Sequence, residues 1–120
     1  MTIYNRGDVV LISFIFADET GAKQRPAVII SSDTYHQQRQ EAIISAITSK
    51  TDLILVGDYL ISYWQEAGLL FPSVATGIIR TIKQSMITRK LGTMSQNDLK
   101  EIDEQLSIVF GLGDRIDKGL

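Results

Sequence analysis

Apolar residues come in short bursts along most of this chain, each closed by polar residues, glycine or proline. Bursts of about four to eight residues, punctuated in this way, predict strands rather than helices. Gly7-Asp8 predicts a turn that launches a strand over Val9 to Phe16. The charged stretch Asp18-Glu19-Thr20-Gly21-Ala22-Lys23-Gln24 is expected to be a solvated loop. Arg25-Pro26-Ala27 then leads into Val28-Ile29-Ile30. Pro26 lacks an amide hydrogen and suits the first position of that strand. Ser31-Ser32-Asp33 closes the strand, and Asp33 to Gln38 reads as a turn. Ala42 to Thr48 predicts a third strand, and Asp52 to Val56 a fourth after the tight connection Ser49-Lys50-Thr51. Tyr63 to Ala67 suits one helical turn stopped by Gly68, and Val74 to Ile82 and Ser85 to Leu91 predict two more strands.

The pattern changes near the end. Ser95-Gln96-Asn97-Asp98 resembles a capping box. Leu99, Ile102, Leu106, Val109 and Phe110 then recur at steps of three and four, one stripe of a helix that Gly111 stops. Short strands followed by one helix predict a mainly β fold, a small antiparallel barrel with a C-terminal helix packed on it. The chain of 120 residues reads as a single domain over residues 1–120.

Composition narrows the chemistry. The chain is 44% hydrophobic, enough for a core without staples, and it contains no cysteine. Disulfide scaffolds and thiolate metal sites are therefore excluded. No basic-then-apolar signal region follows Met1, and no apolar stretch approaches the ~20 residues that span a bilayer. A cytoplasmic protein with no membrane partner is the expectation. The net charge of −2 and the isoelectric point near 5.3 oppose nucleic-acid binding by the molecule as a whole. Any such function has to rest on a local basic patch.

Few residues remain to carry a reaction. Arg25, before an apolar strand, offers a planar fork that matches two phosphate oxygens. Its bland alternative is a pair with a surface carboxylate. Thr48 and Ser49 end the third strand with two hydroxyls, which could equally satisfy backbone groups there. His36 is the single histidine and titrates near neutrality in its free state, yet a surface histidine is the commoner case. Glu19 is a candidate base and otherwise a solvated loop charge. Arg80, Lys83, Arg89 and Lys90 form a phosphate-tracking patch unless strand alternation scatters them over two faces. Tyr63 and Trp64 suit base stacking or, for Trp64, burial in the core or an interface.

Three segments in order resemble the MazF/PemK toxins of bacterial toxin–antitoxin pairs: Gly7-Asp8-Val9-Val10, Gln24-Arg25-Pro26-Ala27-Val28-Ile29-Ile30-Ser31, and Ile47-Thr48-Ser49. Ala67-Gly68-Leu69 with Pro72-Ser73, then Ile87 to Gly92 and the final helix, are similar to that family's closing segment. The resemblance implies an SH3-like barrel of the PemK/CcdB type. It further implies a homodimer and a ribosome-independent endoribonuclease that cuts single-stranded RNA. Arg25 and Thr48 would carry the reaction, with Glu19 and His36 as further candidates for proton transfer. Lys23, Gln24, Ser49, Ser73, Arg80 and Lys83 are the candidate RNA contacts. No cofactor and no metal are called for. A cognate antitoxin would block the groove, and DNA would be met only indirectly, through that antitoxin. Two rival readings keep the barrel and drop the reaction: a CcdB-like gyrase poison, and a non-catalytic SH3-like binding module.

Overall fold

The computed structural model describes residues 3–15 and 22–113. Six strands form one antiparallel sheet: β1 (Asp8–Ile15), β2 (Ala22–Ile29), β3 (Glu41–Thr48), β4 (Tyr59–Leu60), β5 (Val74–Lys83) and β6 (Ile87–Thr93). A short helix, α1 (Asp33–Gln38), joins β2 to β3, and α2 (Gln96–Phe110) closes the described chain. The strand order is β4-β5-β3-β2-β1-β6. The sheet is not closed by hydrogen bonds, but it curls. Ile82 of β5 and Ile87 of β6 lie far apart in strand order yet share one buried cluster with Val10, Ile12, Ala27, Ile29 and Ile44. The expected barrel-like form with a C-terminal helix is present, with an open seam.

The other face carries a second cluster. Val9, Val28, Ile47 and Ala75 meet Ile61, Ala67, Leu69, Met94 and Ile102, with Leu99, Leu106 and Trp64 packed against them. Helix α2 therefore covers this face through the middle of its predicted stripe. Val109 and Phe110, at the end of that stripe, remain exposed. Ser95 caps the helix by accepting from the Asp98 N–H, and Gly111 ends it in the left-handed region at φ 69. Asp98 does not reach back to Ser95 as a capping box requires. Its buried carboxylate instead accepts from Tyr59 Oη and from the N–H groups of Ser62 and Tyr63. Arg6 fixes α2 from the other side. Its guanidinium forks onto Asp103 and its Nε donates to Ile30 O.

Several sequence expectations are corrected. Asp52 to Val56 is no strand; it belongs to an exposed loop, and the actual fourth strand is Tyr59–Leu60. The Asp58 carboxylate holds that loop in place, accepting from Leu55 N and Gly77 N, so the loop is tied to β5 without a ladder. The predicted turn after Ser32 is the helix α1, and the sixth strand starts at Ile87 after a 3₁₀ turn at Gln84–Met86. Tyr63 to Ala67 does make a helical turn, with the Ala67 N–H donating to Tyr63 O, and Gly68 ends it at φ +86.

Strand β2 begins at Ala22, earlier than expected. Lys23, Gln24 and Arg25 thus lie inside the strand, and Pro26 is not its first residue. Proline is tolerated there for a geometric reason. The Ile30 N–H donates to Ile43 O, toward β3. Strand alternation then turns the backbone of Val28 and Pro26 toward β3 as well. The missing donor of Pro26 falls where the β2–β3 ladder ends, since its last pair is Ala27↔Ala46.

Candidate active site

Beyond that last pair the two strands part, and a cavity of about 460 Å³ opens at the gap. Continuing the β2–β3 register by two residues sets Arg25 across from Thr48. Both line the cavity, with Arg25 exposed and Thr48 half-buried. A β-bulge between Ser45 and Ile47 in the pairing with β5 re-aims this end of β3. Two hydroxyls fix the bulge: Ser45 Oγ donates to Thr76 O, and Thr76 Oγ1 donates to Ala46 O at 2.7 Å. Thr48 Oγ1 accepts from the Lys50 N–H at 3.2 Å, which leaves its own proton to donate outward.

The far wall comes from elsewhere in the chain. Gly68, Leu69, Leu70 and Phe71 contribute from the segment after β4, and Arg89 and Leu91 from β6. These two segments touch backbone to backbone. A methyl at Gly92 would stand 2.6 Å from Ala67 O, and one at Gly68 would overlap the Leu91 carbonyl. Only glycine permits this approach, which holds the two segments of the far wall against each other.

The electrostatics are one-sided. The lining, among the described residues, carries Arg25, Lys50 and Arg89 and no carboxylate. Among the described residues none of these three cations has an ion pair. A chain of net charge −2 therefore presents one basic cavity.

The other sequence candidates divide. Ser49 and Ser73 line the cavity, although Ser73 is buried and its Oγ donates to Phe71 O at 2.7 Å. Lys23 and Gln24 lie on β2 outside it, and Gln24 Oε1 accepts from Thr88 Oγ1. Arg80 lies on β5 opposite Ile44, away from the cavity. His36 is not brought to Arg25. Its Nδ1 meets Tyr4 O at 3.1 Å and its Nε2 meets Ser31 Oγ, in a separate cleft that also holds Arg39 and Lys83. Lys90 pairs with the buried Asp8 at 3.2 Å. The four-cation patch is thus scattered, with Arg89 alone at the cavity. Trp64 packs on the core, whereas Tyr63 is exposed. Glu19 lies outside the described residues. Sequence reasoning placed neither Lys50 nor Phe71 at the site, and it had no means to join Arg89 to Arg25. Their sharing of one cavity depends on β6 lying beside β1.

No helix among the described residues is long and apolar enough to cross a membrane. The fold matches solved structures at low identity. An endoribonuclease in complex with its cognate antitoxin, from Mycobacterial species, superposes with a TM-score of 0.73 at 18% identity, covering 91% of this chain and 96% of that one. A chain of the MazE–MazF complex of Deinococcus radiodurans gives 0.77 at 17%, covering 92% and 98%. The Mycobacterium tuberculosis toxin MazF-mt6 gives 0.69 at 19%, covering 87% and 96%. At these identities the likeness is one of fold. The sequence itself, over residues 5–110, matches the profile of the PemK-like, MazF-like toxins of type II toxin–antitoxin systems, and the chain belongs to that family.

Proposed function

We propose that this toxin is a metal-independent endoribonuclease that cuts single-stranded RNA at the cavity between β2 and β3. The observation that carries this reading is that Arg25 and Thr48, opposite each other when the β2–β3 register is continued past its last pair, both line a cavity that holds three cations and, among the described residues, no carboxylate. The RNA's own 2′-hydroxyl attacks the adjacent phosphorus, the bond to the 5′-oxygen breaks, and that oxygen leaves with a proton. The products are a 2′,3′-cyclic phosphate and a 5′-hydroxyl. Arg25 stabilises by electrostatics the charge that builds on the equatorial oxygens. Thr48 donates its free hydroxyl proton to a phosphate oxygen. Arg25 is a poor base because its guanidinium keeps its proton, so its role is electrostatic.

Membership of a toxin–antitoxin family supports a cognate antitoxin as the regulating partner, laid over the same basic cavity. DNA is then met only through that antitoxin, and the reaction takes place in the cytoplasm. A homodimer fits the exposed apolar residues Val56, Ile78, Val109 and Phe110. Val109 sits against Gly57, and Gly57 against Gly77, which gathers the loop, β5 and the end of α2 on one side.

The test is incubation of the purified protein with single-stranded RNA in EDTA, with end-group analysis of the fragments. Cleavage to cyclic phosphate ends, and survival of a substrate carrying 2′-deoxyribose at the cut position, support the mechanism. Efficient cutting of that deoxy substrate, or activity lost in EDTA and restored by magnesium, overturns it.

A further inference from the structure

The cavity holds more positive charge than one phosphate requires. Arg89 and Lys50 line it beside Arg25, and neither has an ion pair among the described residues. Their order across the sheet is defined. Arg89 on β6 pairs with Leu11 on β1, and Leu11 pairs with Pro26, the neighbour of Arg25 on β2. Arg25 lies across from Thr48 on β3, and Lys50 follows two residues later. Arg89 and Arg25 therefore lie two strands apart in neighbouring rows of the sheet, and Lys50 lies just past the end of β3, beyond Thr48. Arg89 and Arg25 rise from strands two apart, roughly 10 Å at the usual strand spacing. That separation suits the phosphates of neighbouring nucleotides better than two oxygens of one phosphate. Nothing else on β6 competes for the place. Lys90 is held by Asp8, and Thr88 donates to Gln24 Oε1.

We propose that Arg89 and Lys50 hold the phosphates on either side of the scissile one, so that RNA crosses the sheet from β6 over β1 and β2 to the end of β3. This rests on the endoribonuclease reading above and extends it: Arg89 and Lys50 are positioning residues that fix where the backbone lies, while Arg25 and Thr48 meet the reacting group. Phe71, 63% exposed, lines both this cavity and a shallow hollow with Ser49, Thr51 and Pro72. It marks the Lys50 end of the path.

The experiment measures binding of a mixed-sequence 2′-fluoro RNA, which lacks the attacking hydroxyl, by fluorescence anisotropy over a range of salt concentrations. Each phosphate contact on a single strand contributes about −0.7 to the slope of log K against log salt. Three contacts predict a slope of about −2 for the wild type. Arg89→Ala and Lys50→Ala each move it toward zero by about 0.7, and Arg89→Lys restores it because the point charge is kept. Arg39→Ala, in the other cleft, leaves the slope unchanged. On cleavable RNA, Arg89→Ala raises KM with kcat nearly constant, the mark of lost uniform binding. Wild-type binding with slopes unmoved by Arg89→Ala and Lys50→Ala overturns this proposal alone. Absence of any wild-type RNA binding at low salt overturns the endoribonuclease reading together with it.

Discussion

At the scale of single residues, the proposed mechanism gives two side chains separable tasks. Arg25→Ala is expected to slow RNA cleavage by roughly 10²–10³-fold, the scale for losing one transition-state donor. Thr48→Ala is expected to slow it less, because in the proposed mechanism its hydroxyl only orients a phosphate oxygen and carries no charge. Single-turnover assays at saturating protein check both. Asp98 governs stability. Its carboxylate, 0% exposed, serves three donors from the segment after β4. Asp98→Ala strands those donors and should destabilise the fold by about 3 kcal/mol in urea melts. Its partner Tyr59 gives an alkaline signature. Burial, then the hydrogen bond to Asp98, raise the Tyr59 pKa above its ordinary 10.0. The folded state keeps this proton longer than the unfolded chain does. The stability it contributes is therefore intact below pH 10.0 and lost as pH rises through the raised value. Urea melts above pH 10.0 should fall more steeply for the wild type than for Tyr59→Phe. At this scale the sequence was only partly legible. Arg25 and Thr48 could be named because a short motif surrounds each, and Pro26 explains why they face a gap. Arg89 carries no local signal, since its place at the cavity follows from strands distant in the chain, and Lys50 reads as part of a turn although it follows Thr48 by two residues.

At the scale of elements, glycines decide whether the cavity keeps its shape. Gly68 has φ +86, and any side chain there would meet the Leu91 carbonyl. Gly68→Ala should destabilise the protein by on the order of 3 kcal/mol through backbone strain and forced separation of the two segments. A milder change tests the helix: Ser95→Ala removes the N-cap of α2 and should lower stability by about 1 kcal/mol. Thermal melts rank the two. Most elements were legible from patterning. Val9, Ala42 and Val74 begin apolar runs that form strands as read, and the α2 stripe buries Ile102 as its spacing requires. The failure at Asp52 to Val56 has a physical cause. Leu53, Ile54, Leu55 and Val56 have the composition of a strand, but all four are exposed. Asp58 binds the loop and Gly77 together and leaves no ladder for it to join. Gly57-Asp58 was the available signal, a turn pair directly after the run.

At the scale of the whole molecule, the exposed residues Val56, Ile78, Val109 and Phe110 give an apolar side that a second copy would cover. Sedimentation is expected to show a dimer at micromolar concentration, and Val109→Glu to shift it toward monomer. A strict monomer at high micromolar concentration would count against this assembly. The sheet order also has a consequence for the timing of biosynthesis. The cavity draws on Leu11 near one end of the described chain and on Leu91 near the other, and β1 is covered on its outer edge only by β6. Pairings of such long sequence separation form late, after the loop between them has closed. On the endoribonuclease reading proposed above, a ribosome making this chain would hold no competent nuclease until residue 91 has emerged and β6 has docked. The nascent toxin would then be harmless to the message that encodes it for most of its own synthesis.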